Sequence, residues 1–257
     1  MSIEHACWPD WRDPAAYAPL LEADRSLFAW EWLRRNAAYR LAAEQALSAG
    51  YGDSLPSDAP GDFGLVAFEP PHLAVPHARP VWRSDAHRYV LSAEIGATKQ
   101  ARDLFDPDRL CGASRVIPGD RREHLLLSDG LRTVRVDGVP GTFTSGPVSL
   151  RYKIEGLASA EPALLTLRRF LAFCRAGGFS RSLHRRETRA RRWILMLRAS
   201  DALAAGADQR AIAAELLSPS AGKPHWRVHQ PSVRSQVQRL VRSARHMFAG
   251  GYLDLLR

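Results

Sequence analysis

Between Pro231 and Gly250 apolar and polar residues recur with the period of a helix, and the polar ones suit recognition rather than bond making. At 100° per residue, Val233, Val237, Leu240, Val241, Ala244, Met247 and Phe248 share one arc. Arg234, Ser235, Gln238, Arg239, Arg242, Arg245 and His246 share the other. A guanidinium fork pairs bidentately with phosphate oxygens or a guanine edge, and a glutamine amide pairs with an adenine edge. Arg234, Ser235, Gln238 and Arg242 are therefore candidates for groove and base-edge contacts. Arg239 and Arg245, with Arg189 and Arg192 from an upstream cluster, are candidates for phosphate contacts. An ordinary surface helix with arginine on its wet side has the same pattern, so the surroundings must decide.

Other chemistries lack their residues. His225 and His229 have the spacing of a metal pair, but Pro224 and Pro231 place them in a loop with no acidic or cysteine partner near. Asp103, Asp106 and Asp108 resemble a carboxylate cluster, yet Asp106-Pro107 reads as a turn. There is no phosphate loop, nucleophile elbow or dinucleotide fingerprint. Cys7, Cys111 and Cys174 are far apart and odd in number, so neither a disulfide framework nor a zinc site follows. The expectation is a protein that is not an enzyme and needs no cofactor or metal.

The charge distribution favours a polyanionic partner. Residues 161–257 carry 18 Lys and Arg against 6 Asp and Glu, a net +12, whereas residues 1–60 come to −4. Such a split directs phosphate to one part of the chain. Only three of the 36 basic residues are lysine, as GC-rich coding would give, so the cations are almost all forked. No apolar run approaches the roughly 18 residues that span a bilayer, and the polar, aromatic start is unlike a signal peptide. A cytoplasmic protein with reduced thiols and no membrane partner is expected.

The elements that must position these residues fall into an α+β order. Residues 1–49 read as a helical domain, with helix starts at Asp13-Pro14 and Ser26 and with Trp8, Trp11, Trp30 and Trp32 as the aromatic content of a small core. Residues 50–62, rich in Gly, Pro, Ser and Asp, read as a linker. Residues 63–160 read as a small, mostly antiparallel sheet, with strands at Gly64–Phe68, Val81–Arg83, Tyr89–Ala93, His124–Leu127, Thr133–Val136 and Val148–Ile154. The alternation at 131–136 and 148–154 predicts one wet face each. Residues 161–257 read as helices over Glu161–Arg175, Arg181–Ala205, Asp208–Leu217 and Pro231 to Gly250, with a loop at Ser218–Gln230. Arg181, Arg185, Arg186, Arg189, Arg191 and Arg192 then crowd the head of the second helix, against its dipole, where a phosphate would offset them. The order is that of a helix-turn-helix, with a connector of roughly 13 residues rather than a few.

Two groups of segments carry a resemblance. Trp8-Pro-Asp-Trp-Arg-Asp-Pro14, Phe28-Ala-Trp-Glu-Trp-Leu-Arg-Arg-Asn36 and Tyr39 resemble the N-terminal regulator-like domain of proteins from proteobacterial mobile elements. Leu167-Arg-Arg-Phe170, Gly206-Ala-Asp-Gln-Arg-Ala-Ile-Ala213, Val237-Gln-Arg-Leu-Val241 and Gly250-Gly-Tyr-Leu-Asp-Leu-Leu256 resemble their C-terminal domain. The whole is similar to two-domain activators of excision and transfer in integrative and conjugative elements. That resemblance implies promoter activation, and a small anti-activator as a candidate partner. The residues themselves point to double-stranded DNA as the partner. The acidic N-terminal segment is expected to serve activation, with RNA polymerase a candidate partner, and not to touch DNA. The rival is a protein-interaction module, an anti-activator or adaptor. A +12 surface favours DNA over it, because protein-docking faces are depleted in charge at their centre.

Overall fold

The computed structural model describes residues 8–48, 59–97, 100–110, 112–119 and 122–257. Cys7, Cys111 and most of the expected linker fall outside these residues. The architecture is α+β: N-terminal helices, a central sheet and C-terminal helices.

The N-terminal part comprises a 3-10 turn at Ala15–Leu21 and two helices, α1 (Arg25–Leu33) and α2 (Ala37–Ser48). Asp24, not Ser26, starts α1, because its carboxylate accepts the Leu27 N–H and satisfies an orphan donor of the first turn. Ser26 lies one residue inside and donates its hydroxyl to the same carboxylate. Leu27, Phe28, Trp30, Trp32 and Leu33 are all buried, so α1 is a central helix with no wet face. Trp11, Trp30 and Trp32 are core. Trp8 is half-buried, with its ring covered by the guanidiniums of Arg34, Arg35 and Arg40 at 4.9, 5.1 and 5.5 Å.

The expected strands at 64–68 and 81–83 are replaced by irregular chain that wraps the helices, with one bridge, Leu65 to Trp82. Aromatic polar tips fix this wrapping. Trp30 Nε1 donates to the Leu73 carbonyl at 2.8 Å, Trp82 Nε1 to the Ser26 carbonyl at 3.2 Å, and Tyr39 Oη to the Glu69 carbonyl at 2.7 Å.

The described residues form one six-stranded sheet: β1 (Val90–Gly96), β2 (Leu104–Phe105), β3 (Ser114–Pro118), β4 (Glu123–Ser128), β5 (Thr133–Gly138) and β6 (Val148–Lys153). Its order is β2-β6-β1-β5-β4-β3. Only the central β1–β5 pair is parallel, with Val90 opposite Arg135; the rest is antiparallel, as expected. β2 and β3 were not expected from the sequence. β5 has no wet face: Val134 to Asp137 are all buried. Its polar residues pair with one another instead, with Arg135 Nε on Asp137 Oδ1 at 2.8 Å and His124 Nδ1 on the same oxygen at 2.9 Å. Helix α3 (Leu157–Ala176) covers the sheet through Phe170 and Phe173, and Gly177 in the left-handed region ends it.

The remaining helices are α4 (Ala190–Ala204), α5 (Gln209–Leu216), α6 (Trp226–His229) and α7 (Pro231–Phe248), followed by a 3-10 turn at Gly251–Leu256. They do not form a separate core. Trp193, Leu197, Ile212, Val237, Val241, Ala244 and Leu256 join Leu27, Phe28, Trp30 and Leu33 in one buried cluster. Phe28 and Trp193 meet edge to face at 5.0 Å.

Candidate nucleic-acid interface

α7 lies against α4 and α5 because of the apolar arc. Val237, Val241, Ala244 and Met247 are buried, and Val233 and Leu240 are partly so. Phe248, expected on that arc, is 42% exposed at the helix end. The opposite arc faces water: Arg234, Gln238, Arg239, Arg242, Arg245 and His246 are exposed. None of the four arginines has a carboxylate partner among the described residues, so their donors are free for a ligand. Ser235 is half-buried, and its hydroxyl donates back to the Pro231 carbonyl at 3.0 Å, which leaves its oxygen only as an acceptor.

α4 begins at Ala190, nine residues later than expected. Residues 181–189 are turns tied to the N-terminal part. Arg186 pairs with Glu22 at 2.6 Å, and Glu187 accepts Arg25 Nε at 2.6 Å. These long-range pairs hold the segment in turns, where local spacing alone suggested helix. Arg189 is the N-cap residue without a side-chain cap bond, and Arg191 and Arg192 occupy the first turn. All three are exposed and lack a carboxylate partner among the described residues. Cations at this end oppose the helix dipole, so a bound anion would relieve them.

Packing of α4 on α7 brings the two sets together. Arg192, Met196, Leu217, Gln236, Arg239, Leu240 and Ser243 line a shallow groove of about 210 Å³. Arg192 and Arg239 are thus neighbours on one flank. By helical phase Arg234, Gln238 and Arg245 lie on the other flank of α7, with Arg242 between. The structure therefore groups Arg245 with the base-edge candidates, and Arg239 with the α4 cations.

The connector from α5 to α7 is not a plain loop. It holds a 3-10 turn at Pro219–Gly222 and the short helix α6. Buried Ala221 and Trp226 anchor it, and Gln230 Nε2 donates to Ser220 Oγ at 2.7 Å. α5 is capped by Asp208 on the Ala211 N–H at 2.7 Å, after the break at Gly206. His225 and His229 bracket α6 rather than a loop, and among the described residues no group of three His, Cys, Asp or Glu could hold a metal.

Sequence reasoning missed the residues that hold this surface in place. Arg35, buried, gives Nε and Nη2 to Asp201 of α4 at 2.7 and 2.9 Å, and Nη1 to Glu31 at 2.6 Å. Tyr17 Oη donates to Asp201 Oδ2 at 2.6 Å, and burial beside that carboxylate pushes the phenol upward. Arg198 caps the Trp11 and Arg12 carbonyls at 2.7 and 3.0 Å. The one sequence hint was a pair of arginines inside an apolar run.

Residues 155–257 match the family model described as T6SS, Transcription factor, DNA binding domain. Residues 10–64 match the one described as Proteobacterial transcriptional regulator-like domain. The chain is a DNA-binding transcriptional regulator. No curated protein and no solved structure matches it. In this regulator the DNA-binding match contains α4, α5, α7 and every cation of the surface just described.

Proposed function

We propose that the regulator reads duplex DNA with α7, and that it activates excision or transfer genes of a mobile element. The observation that carries the reading is the continuous, unpaired guanidinium surface from Arg192 across Arg239 and Arg242 to Arg234, with Gln238 within it. Arg234, Gln238 and Arg242 contact base edges in a major groove, with Ser235 accepting from a neighbouring donor. Arg189, Arg192 and Arg239 hold one phosphate strand, and Arg245 the other. The absence of large apolar groups at the centre of this face argues against the adaptor alternative. The T6SS label of the matched DNA-binding domain supports a second target class, type VI secretion genes.

The test is direct binding by the full chain. If it neutralises about five phosphates, the logarithm of the association constant should fall with log salt at a slope of roughly −4 to −5. No binding to any duplex at about 50 mM salt would sink the reading and promote the adaptor. Promoters recovered with the bound chain in cells would separate the two target classes, and a reporter fused to them would give the sign of regulation.

A further inference from the structure

A second cationic feature lies away from α7. Residues 182–188 cross the start of α1, the entry to β1, the first residue of β5 and the middle of α3, and together they enclose a cleft of about 520 Å³. That is the size of a small-molecule site. Arg25, Arg169, Arg185 and Arg186 line it against two carboxylates, Asp24 and Glu187. The carboxylates are already engaged. Asp24 accepts from Ser26 Oγ at 2.6 Å, Thr133 Oγ1 at 2.7 Å and the Leu27 N–H at 3.2 Å, while Glu187 holds Arg25. Arg186 turns to Glu22.

Neither Arg169 nor Arg185 has an ion pair among the described residues, although Asp24 lies within electrostatic reach of Arg169, so four guanidiniums against two carboxylates leave positive charge over. Arg169 is half-buried, gives Nε to the Leu183 carbonyl at 3.0 Å and lies 5.8 Å from the Tyr89 ring centre. Arg185 is exposed and has no carboxylate partner among the described residues. Tyr89 and Leu165 supply an aromatic and an apolar wall. His87, also in the lining, reports the same positive potential: burial and the nearby Arg135, Arg169 and Arg88 push it down to about 3.

We propose that this cleft binds a small organic phosphate, with the phosphate between Arg169 and Arg185 and the organic part against Tyr89 and Leu165. Two guanidiniums without an ion-paired carboxylate suit a divalent oxyanion, and the walls suit a moiety with a flat or apolar face. A duplex is too wide to enter a cleft of this size, so the ligand is a metabolite rather than the DNA backbone. An occupant would tie residues 182–188 to the body of the protein, and that segment leads directly into α4 and its Arg189, Arg191 and Arg192.

The experiment titrates the full chain with inorganic phosphate and with adenosine 5′-monophosphate, following histidine ring signals by NMR and direct binding by calorimetry. Saturable binding is expected, tighter for the nucleotide, with the His87 signal perturbed and its titration moved to higher pH by the added negative charge. Arg185→Ala, at an exposed position, should keep the melting curve and weaken nucleotide binding on the order of tenfold or more. Arg169→Lys, which keeps the charge but loses the fork, should weaken it too. Arg242→Ala should leave it unchanged. The proposal fails if neither probe saturates by about 10 mM, a Kd weaker than any useful site. It also fails if Arg185→Ala binds like the parent, or if a duplex displaces the nucleotide. Because the readout is small-molecule binding, its failure leaves the DNA reading of α7 standing.

Discussion

Arg34 caps the C-terminal end of the apolar helix α1 and Arg35 follows it, and what Arg35 does there depends on a residue 166 positions away. Arg35, Glu31, Asp201 and Tyr17 form one buried network that joins α1 to α4. Burial alone would raise Glu31, but Arg35, Arg34 and the Val75 N–H outweigh it and hold the carboxyl below its ordinary range. Removing one partner leaves a buried charge uncompensated, so Arg35→Ala should cost on the order of 3–5 kcal/mol, seen as a fall in denaturation midpoint. An Arg35→Ala, Asp201→Ala double variant that is no worse than the single would show the loss to be the stranded Asp201. A second residue-scale expectation concerns pH. His184 is pushed down to about 3 by burial and by Arg169 and Arg132, and its Nε2 has no hydrogen-bond partner among the described residues. Histidines held neutral when folded bind protons more readily unfolded, so stability should fall as pH drops below about 6.5. The depressed carboxyls Glu31 and Asp137 add their loss only below about pH 4. A melting temperature unchanged between about pH 7 and pH 5 would contradict this, and His184→Phe, at a ring that meets Phe179 edge to face, should flatten the slope. None of these partnerships was legible from one sequence, because nothing local distinguishes Asp201 from any other helix acid.

At the scale of elements, α7 was legible in both its bounds and its faces, since a period of 3.6 and a strong one-sided charge leave little else for the chain to do. α5 was legible through its Asp208 cap and Gly206 break. The start of α4 was not, because Arg186 and Glu187 are drawn to Glu22 and Arg25 by pairs that only the folded chain creates. β5 was misread for a related reason: alternation signals a wet face only if one face stays wet, and here Arg135 and Asp137 pair with each other inside. The geometry of α4 on α7 also changes which variants should behave alike. Arg234→Ala and Gln238→Ala, on the exposed flank, should relax sequence preference at one position each, at a cost on the order of 1–3 kcal/mol. Arg192→Ala and Arg239→Ala, which share the groove, should instead weaken binding to all sequences and flatten the salt slope by roughly one for each phosphate lost. Equal, uniform losses from both groups would mean that α7 is not the reader.

At the scale of the whole molecule, charge and packing divide the chain differently. Charge separates an acidic N-terminal segment from a basic C-terminal one, which by itself suggests a detachable activation module. Packing joins them: α1 is buried on all sides, and it lies in the same core as Leu197, Val237, Val241 and Leu256. Leu27, Phe28, Trp30, Trp32 and Leu33 are each almost fully buried, and each such side chain contributes roughly 1.5–3 kcal/mol. Their removal would expose the inner sides of α4 and α7, and would leave Asp201 buried without Arg35 or Tyr17. A chain lacking residues 1–60 should therefore lose its cooperative melt and its DNA binding together, as circular dichroism and anisotropy with a bound duplex would record. A folded, DNA-binding fragment with a lost reporter signal would instead make the segment a pure activation module. The milder and more telling variant is Glu22→Ala with Arg25→Ala. These residues are partly exposed and hold residues 186–187 from the N-terminal side, so the fold should survive while the head of α4 loosens. If the N-terminal domain sets the position of Arg189 and Arg192, this variant should bind DNA more weakly at an unchanged melting temperature, and Gln238-dependent sequence preference should persist. Unchanged binding would show that the cations at the head of α4 need no support from the N-terminal domain.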